Sequence, residues 1–186
     1  MSEYRQNHLK HPEEENRRIL AVDDDEALLL LYQQIFTLQK GVKQSSEALL
    51  DTLSKGVGGS RQSASAEQRS PYQLECYLNG VDAVAAVEGA VAVQLNYAVA
   101  LIDLRMPQGI DGMETARQIR ALDEDIQIIF VTAYSDYSTD EIFQQISGAV
   151  LWLRKPFHSE ELYQVVRNCC TSWNQATNDN VFFQTT

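Results

Sequence analysis

Six side chains stand out for the chemistry they could do together. They are Asp23, Asp24 and Asp25 in one run, then Asp103, Thr132 and Lys155. Each group follows a short apolar run: ILAV before Asp23, AVALI before Asp103, IQIIFV before Thr132 and AVLWL before Arg154-Lys155. Carboxylates crowded into one pocket repel each other. At ~5 Å and an effective dielectric of ~20, each pair costs on the order of 3 kcal/mol. A fold tolerates this if a cation sits among them or if they protonate. An all-oxygen ligand set suits Mg²⁺, a hard cation that takes few carboxylates and keeps several waters. An ammonium and a hydroxyl nearby complete a set able to bind a phosphoryl group, which is anionic on every equatorial oxygen. One carboxylate can then act as the nucleophile and form an aspartyl phosphate.

Such a site requires elements that bring distant residues together. Runs of four to six residues rich in Val and Ile suit strands buried on both faces. Tyr72 to Tyr77 (YQLECY) is a weaker, alternating candidate that belongs nearer a sheet edge. Helical patterns lie between the runs. Leu28, Leu31, Tyr32, Ile35 and Phe36 make one apolar stripe, and Leu162, Val165, Val166, Cys169, Cys170 and Trp173 make another. Val81 to Gln94 is Ala- and Val-rich. Gly112 to Ala121 is opened by Asp111 with Glu114 three residues on, the pattern of a capping box. Ser138 and Glu141 repeat that signature, and Ser159 suits the N-cap of the last helix. The alternation of strand and helix predicts an α/β fold with a parallel sheet and helices on both faces. Ligands of such folds bind beyond the carboxyl ends of the strands, where the acidic residues, Thr132 and Lys155 fall.

Composition narrows the function. The chain has 186 residues, 26 Asp+Glu against 15 Lys+Arg, and a net charge of −11. This excess of acid argues against nucleic-acid binding and against adhesion to an anionic membrane surface. No apolar stretch approaches the roughly 18 residues that span a bilayer. The segment MSEYRQNHLKHPEEENRR lacks the apolar core of a signal peptide, so a cytoplasmic protein is expected. Cys76, Cys169 and Cys170 make neither a disulfide framework nor a metal-ligand spacing, and the adjacent pair reads as core-facing. His8 and His11 lie in a charged tail and read as solvated. Residues 40–71, with the Gly/Ser-rich stretch KGVGGSRQSASAEQRS, are too long for an ordinary loop and read as an insertion.

In order, ILAVDDDEALL, ALIDLRMPQGIDGMET, IIFVTAYSDYS and LWLRKPFHSEEL closely resemble the receiver domain of two-component response regulators. The resemblance implies a flavodoxin-like (βα)5 fold, a doubly wound parallel sheet of five strands, here with an insertion between the first helix and second strand. It implies that Asp103 accepts phosphate and that Asp24 touches Mg²⁺ directly, with Asp23 acting through water. The backbone carbonyl of Arg105 is the implied third protein ligand. Thr132 is implied to turn toward the phosphoryl group, with Ala133 leaving the approach open. Lys155 is implied to pair with a phosphoryl oxygen, ahead of a cis bond to Pro156. Trp152 stands where receivers often carry a switching aromatic residue, and a buried core aromatic is the plainer alternative.

The boundaries that follow are a polar tail over 1–17, the receiver over 18–173 with the insertion at about 40–71, and a tail or linker over 174–186. The implied partner is a histidine kinase or phosphotransfer protein. An output domain in a longer chain and a homodimer are both compatible with the sequence, which resembles receivers of hybrid sensor kinases and cyclic-dinucleotide signalling proteins. The receiver would catalyse only its own phosphorylation and dephosphorylation. Two other readings are a haloacid-dehalogenase-type phosphatase using the D-x-D pair Asp23 and Asp25, with Asp23 as nucleophile, and a receiver that docks without taking phosphate.

Overall fold

The computed structural model describes residues 15–37, 72–133 and 146–183, with side chains through Thr177. Its elements are β1 (Arg18–Val22), α1 (Glu26–Thr37), β2 (Gln73–Tyr77), α2 (Gly80–Ala92), β3 (Val99–Ile102), α3 (Gly112–Leu122), β4 (Gln127–Thr132), β5 (Val150–Arg154) and α4 (Ser159–Phe183). The five strands form one all-parallel sheet in the order β2-β1-β3-β4-β5. This is the doubly wound flavodoxin-like arrangement expected from the sequence, with β2 at an edge. The insertion, the helix signature at Ser138 and the histidines His8 and His11 lie outside the described residues.

The apolar runs become central strands because both of their faces are covered. Ile19 and Ala21 of β1, Val99 and Leu101 of β3, and Ile129 and Val131 of β4 pack with α1 and α4. The alternate residues Leu20, Val22, Ala100, Ile102, Ile128 and Phe130 pack with α2 and α3 on the other face. Side chains of successive strand residues point to opposite faces, so a run apolar throughout supplies two cores at once.

Helix ends follow local chemistry. Asn79 caps α2 by accepting from the Asp82 amide, and Asp111 caps α3 by accepting from the Glu114 amide. The Glu114 carboxylate itself accepts from Arg117 and Gln118, so only one arm of the expected capping box forms. Ser159 is the first residue of α4 and not the residue before it. In α1 the buried residues are Leu29, Tyr32, Ile35 and Phe36, while Leu28 and Leu31 are half-buried against the same core. The helix is therefore seated about one residue round from the predicted stripe, since a broad sheet face contacts more than a narrow seam.

Helix α4 runs on through Asn174 to Phe183, where the sequence predicts a tail or linker from Asn174. Cys169, Cys170 and Trp173 are buried on its inner face. One turn on, Asn174 is tied to the chain entering β1. Its side chain accepts from the Asn16 amide at 2.7 Å and donates to the Asn16 carbonyl at 3.0 Å. Asn16 in turn donates to the Asn96 carbonyl at 2.9 Å, so the amino-terminal edge of the sheet is laced to α4. Among the described residues, no helix is long and apolar enough to cross a membrane.

Candidate functional site

Strands β1 and β3 are neighbours whose connections leave in opposite directions along the sheet, which opens a crevice at their carboxyl ends. Asp23 follows β1 and Asp103 follows β3. The sheet ladder continues into both, for the Asp23 amide donates to the Tyr77 carbonyl at 3.1 Å and the Asp103 amide to the Val22 carbonyl at 2.9 Å. The Lys155 amide likewise donates to the Thr132 carbonyl at 2.9 Å. The backbone at each functional position is thus an extension of the sheet, and its rigidity is the sheet's.

Carboxylate oxygens of Asp23, Asp24 and Asp103 all lie within 4.8 Å of one another. Asp23 and Asp103 are buried, whereas Asp24 faces solvent. The Lys155 ammonium bridges the two buried carboxylates, at 2.7 Å from Asp23 and 2.9 Å from Asp103. Burial pushes the Asp23 carboxyl above the ordinary range, and its hydrogen bonds from Lys155 and the Asp25 amide oppose that without cancelling it. Burial acts in the opposite sense on Lys155. There the two carboxylates prevail and hold its ammonium above the usual lysine value. Three carboxylates and one ammonium leave the cluster two charges short of neutral if all are ionised. Three hard oxygen donors gathered in this way are residues that could hold a divalent cation such as Mg²⁺.

Thr132 is buried at the end of β4, and Ala133 beyond it is exposed. Arg105 is exposed, with its amide directed at Asp103 Oδ1 at 3.4 Å. The Lys155–Pro156 bond is cis. Trp152 is 37% exposed on β5, with its ring tilted against Phe130 at 5.7 Å. The buried core aromatic that the plainer alternative called for is therefore not what Trp152 is. Cys169 and Cys170 are free thiols in the core, which burial pushes up to about 11 and about 12.

Two site features have roles that the sequence left unassigned. Asp25 accepts from the Ala27 amide at 2.9 Å and the Leu28 amide at 3.4 Å. It caps α1 and stands outside the carboxylate group; the signal was an Asp immediately before an apolar-periodic run. Gly112 is the other. Its amide donates to the Leu104 carbonyl at 3.0 Å, and a side-chain carbon there would overlap the Asp103 carbonyl oxygen and lie 2.6 Å from Leu104 Cα. Only glycine lets the first turn of α3 lie against the backbone that carries Asp103.

The model of the response regulator receiver domain family matches residues 65–167. That is more than half of the sequence, and the chain belongs to this family, the receivers of two-component signalling. Strand β1 lies ahead of the matched stretch, and the sheet joins it to the rest. The C4-dicarboxylate transport transcriptional regulatory protein DctD of Pseudomonas aeruginosa is 41% identical over 69 residues, covering 37% of this chain and 14% of that protein. The sporulation initiation phosphotransferase F of Bacillus subtilis is 31% identical over 67 residues, covering 36% of this chain and 52% of that protein. The chain thus spans about half or less of these relatives' length. Among solved structures, an adenylate cyclase of Rhodopirellula baltica shares the fold at a TM-score of 0.65 and 18% identity, over 92% of this chain and 99% of that one. The response regulator TrrA of Thermotoga maritima, solved in complex with Mg²⁺ and BeF, matches at a TM-score of 0.51 and 26% identity, over 82% and 98%. With the family established and Asp25 occupied in capping α1, nothing favours the phosphatase reading.

Proposed function

We propose that this receiver takes a phosphoryl group onto Asp103 from a phosphohistidine presented by a histidine kinase or phosphotransfer protein. The observation that carries the reading is the convergence of three carboxylates, two of them bridged by the Lys155 ammonium at 2.7 and 2.9 Å. A carboxylate oxygen of Asp103 attacks phosphorus in line, the P–N bond to the donor breaks, and the imidazole leaves with the bonding pair. Lys155, already within hydrogen-bond reach of Asp103, neutralises an equatorial oxygen of the moving group. Asp23, Asp24, Asp103 and the backbone carbonyl of Arg105 are the ligands we assign to Mg²⁺. When bound, the ion offsets the carboxylate repulsion and screens the negative charge of the incoming phosphoryl group. The bound phosphoryl group then draws the Thr132 hydroxyl, past Ala133, and Trp152 on β5 reports or transmits the change.

The chain's role in this reading is that of a switch within signalling, catalysing only its own phosphorylation and dephosphorylation. We assign the receiver to residues 18–173 with the insertion at about 40–71 and with α4 running on past that boundary to Phe183, operating in the cytoplasm, with an output domain or a second copy of the chain as the responding surface. The test is labelling by a small phosphodonor, acetyl phosphate or phosphoramidate, with Mg²⁺. The wild-type chain becomes labelled and Asp103→Asn does not, while both melt cooperatively. Equal labelling of Asp103→Asn places the acceptor elsewhere. A chain that binds Mg²⁺ yet is never labelled by any donor favours the docking reading.

A further inference from the structure

Tyr32 is 1% exposed, and its ring lies on Phe157, with centroids 6.1 Å apart and planes 19° from parallel. Phe157 follows Lys155 by two residues. Helical side chains lean toward the helix amino terminus, and the amino terminus of α1 begins three residues past Asp23. Burial first, and then the negative charge of Asp23 and Asp103, push the Tyr32 phenol upward. Among the described residues its hydroxyl has no hydrogen-bond partner, so what Tyr32 offers the site is its ring. That amino-terminal end of α1 is itself held: Asp25 caps the helix, and its amide donates to Asp23 Oδ1 at 3.0 Å. Helix α1 therefore connects Asp23 at its start to the Lys155–Phe157 segment through one aromatic stack.

We propose that Tyr32 is a positioning residue for phosphoryl transfer, its ring seating Phe157 so that the Lys155 ammonium stays between the Asp23 and Asp103 carboxylates. This rests on Asp103 being the acceptor. The ammonium must meet two oxygens at once, and a loss of order in the segment that carries it would leave one of them unpaired. Misplacing a charged group by a fraction of its hydrogen-bond length is felt in the transition state more than in metal binding, because the carboxylates that hold the metal stand on β1 and β3, not on this segment.

The experiment compares labelling of the full chain by phosphoramidate in saturating Mg²⁺ with Mg²⁺ affinity measured by calorimetry. Tyr32→Leu lowers the labelling rate about tenfold or more and does not lower Mg²⁺ affinity. Tyr32→Phe, which keeps the ring, labels like the wild type. In a Lys155→Met background, Tyr32→Leu causes no further loss, since its effect passes through Lys155. Should Tyr32→Leu fail to melt cooperatively, Phe157→Leu removes the stack from the other side and shows the same pattern. The proposal is overturned if these leucine variants label at the wild-type rate, if they lose Mg²⁺ affinity along with rate, if Tyr32→Phe loses as much, or if the loss persists with Lys155 already removed. Absence of labelling in the wild-type chain would instead overturn the assignment of Asp103.

Discussion

Asp24→Asn should make the metal-free protein more stable and take away its response to Mg²⁺. Oxygens of the three carboxylates lie within 4.8 Å of each other, a separation at which a pair repels by about 3.5 kcal/mol at an effective dielectric of ~20 and about 0.9 kcal/mol in bulk water. Lys155 offsets Asp23 and Asp103 and makes no ion pair with Asp24 among the described residues. Because Asp24 faces solvent, its two repulsions belong near the aqueous limit. Removing its charge then returns about 2 kcal/mol, a rise in melting temperature of roughly 4–8 °C for a domain of this size. Wild type regains the difference from the metal: at free Mg²⁺ a hundredfold above its dissociation constant, binding contributes about 2.7 kcal/mol. The two proteins should therefore exchange rank as Mg²⁺ is added. Thermal unfolding followed by circular dichroism, in chelator and across a Mg²⁺ series at constant ionic strength, reads this directly. A variant that melts at or below the wild-type temperature without metal, and still climbs with Mg²⁺, would refute the picture of one shared acidic site.

Three further outcomes follow from the geometry. Gly112→Ala forces a methyl group into the backbone of Asp103 and Leu104, which cannot yield as a side chain can, so a loss of about 3 kcal/mol in urea unfolding and slower labelling are expected together. Asn174→Ala removes two hydrogen bonds to the Asn16 backbone, worth about 1 kcal/mol each, and should lower stability by 1–2 kcal/mol while labelling is unaffected, because the tie lies at the opposite end of the sheet from Asp103. The third concerns pH. Burial acts to raise the Glu75 carboxyl, but Arg18 at 2.6 Å and the hydroxyls of Tyr97 and Tyr77 at 2.8 and 3.2 Å outweigh it and hold the group below its ordinary value. A depressed acid stabilises the fold above its unfolded value of about 4.3 and loses that contribution as pH falls through the folded value. The gap in urea midpoint between wild type and Glu75→Gln should accordingly be flat near neutrality and close below about pH 4; a gap that widens on acidification would contradict the ion pair.

Much of the site was readable because its determinants are local. A strand buried on both faces must be apolar throughout, so its end is marked by the first polar residue; Asp23, Asp103 and Thr132 were found that way, and Lys155 as the second of the polar pair Arg154-Lys155 after Leu153. Parallel order then carried all four to one edge of the sheet. The capping residues of α3 and the core-facing Cys169 and Cys170 were legible for the same reason, since an N-cap and a 3.6-residue stripe are properties of a few consecutive residues.

Other features depended on contacts between residues far apart in the chain. The division of labour within Asp23-Asp24-Asp25 is an example: three identical side chains in a row become a buried partner of Lys155, an exposed member of the acidic cluster and a helix cap, according to which way the backbone turns as it leaves β1. Helix α4 passes the polar residues after Trp173, which carry no apolar stripe of their own, with Asn174 tied to Asn16 158 positions away. Trp152 keeps a third of its surface in solvent on β5, an edge strand among the described residues, and strand order is invisible in a single run of residues. The stack of Tyr32 on Phe157 joins α1 to the segment after β5. Sequence alone determined which residues could do the chemistry and at which ends they stand, because periodicity and polarity act over a few neighbours. Only the tertiary structure decided which oxygen meets which nitrogen, because burial and pairing are set by chain segments that approach each other in space and share no pattern along the sequence.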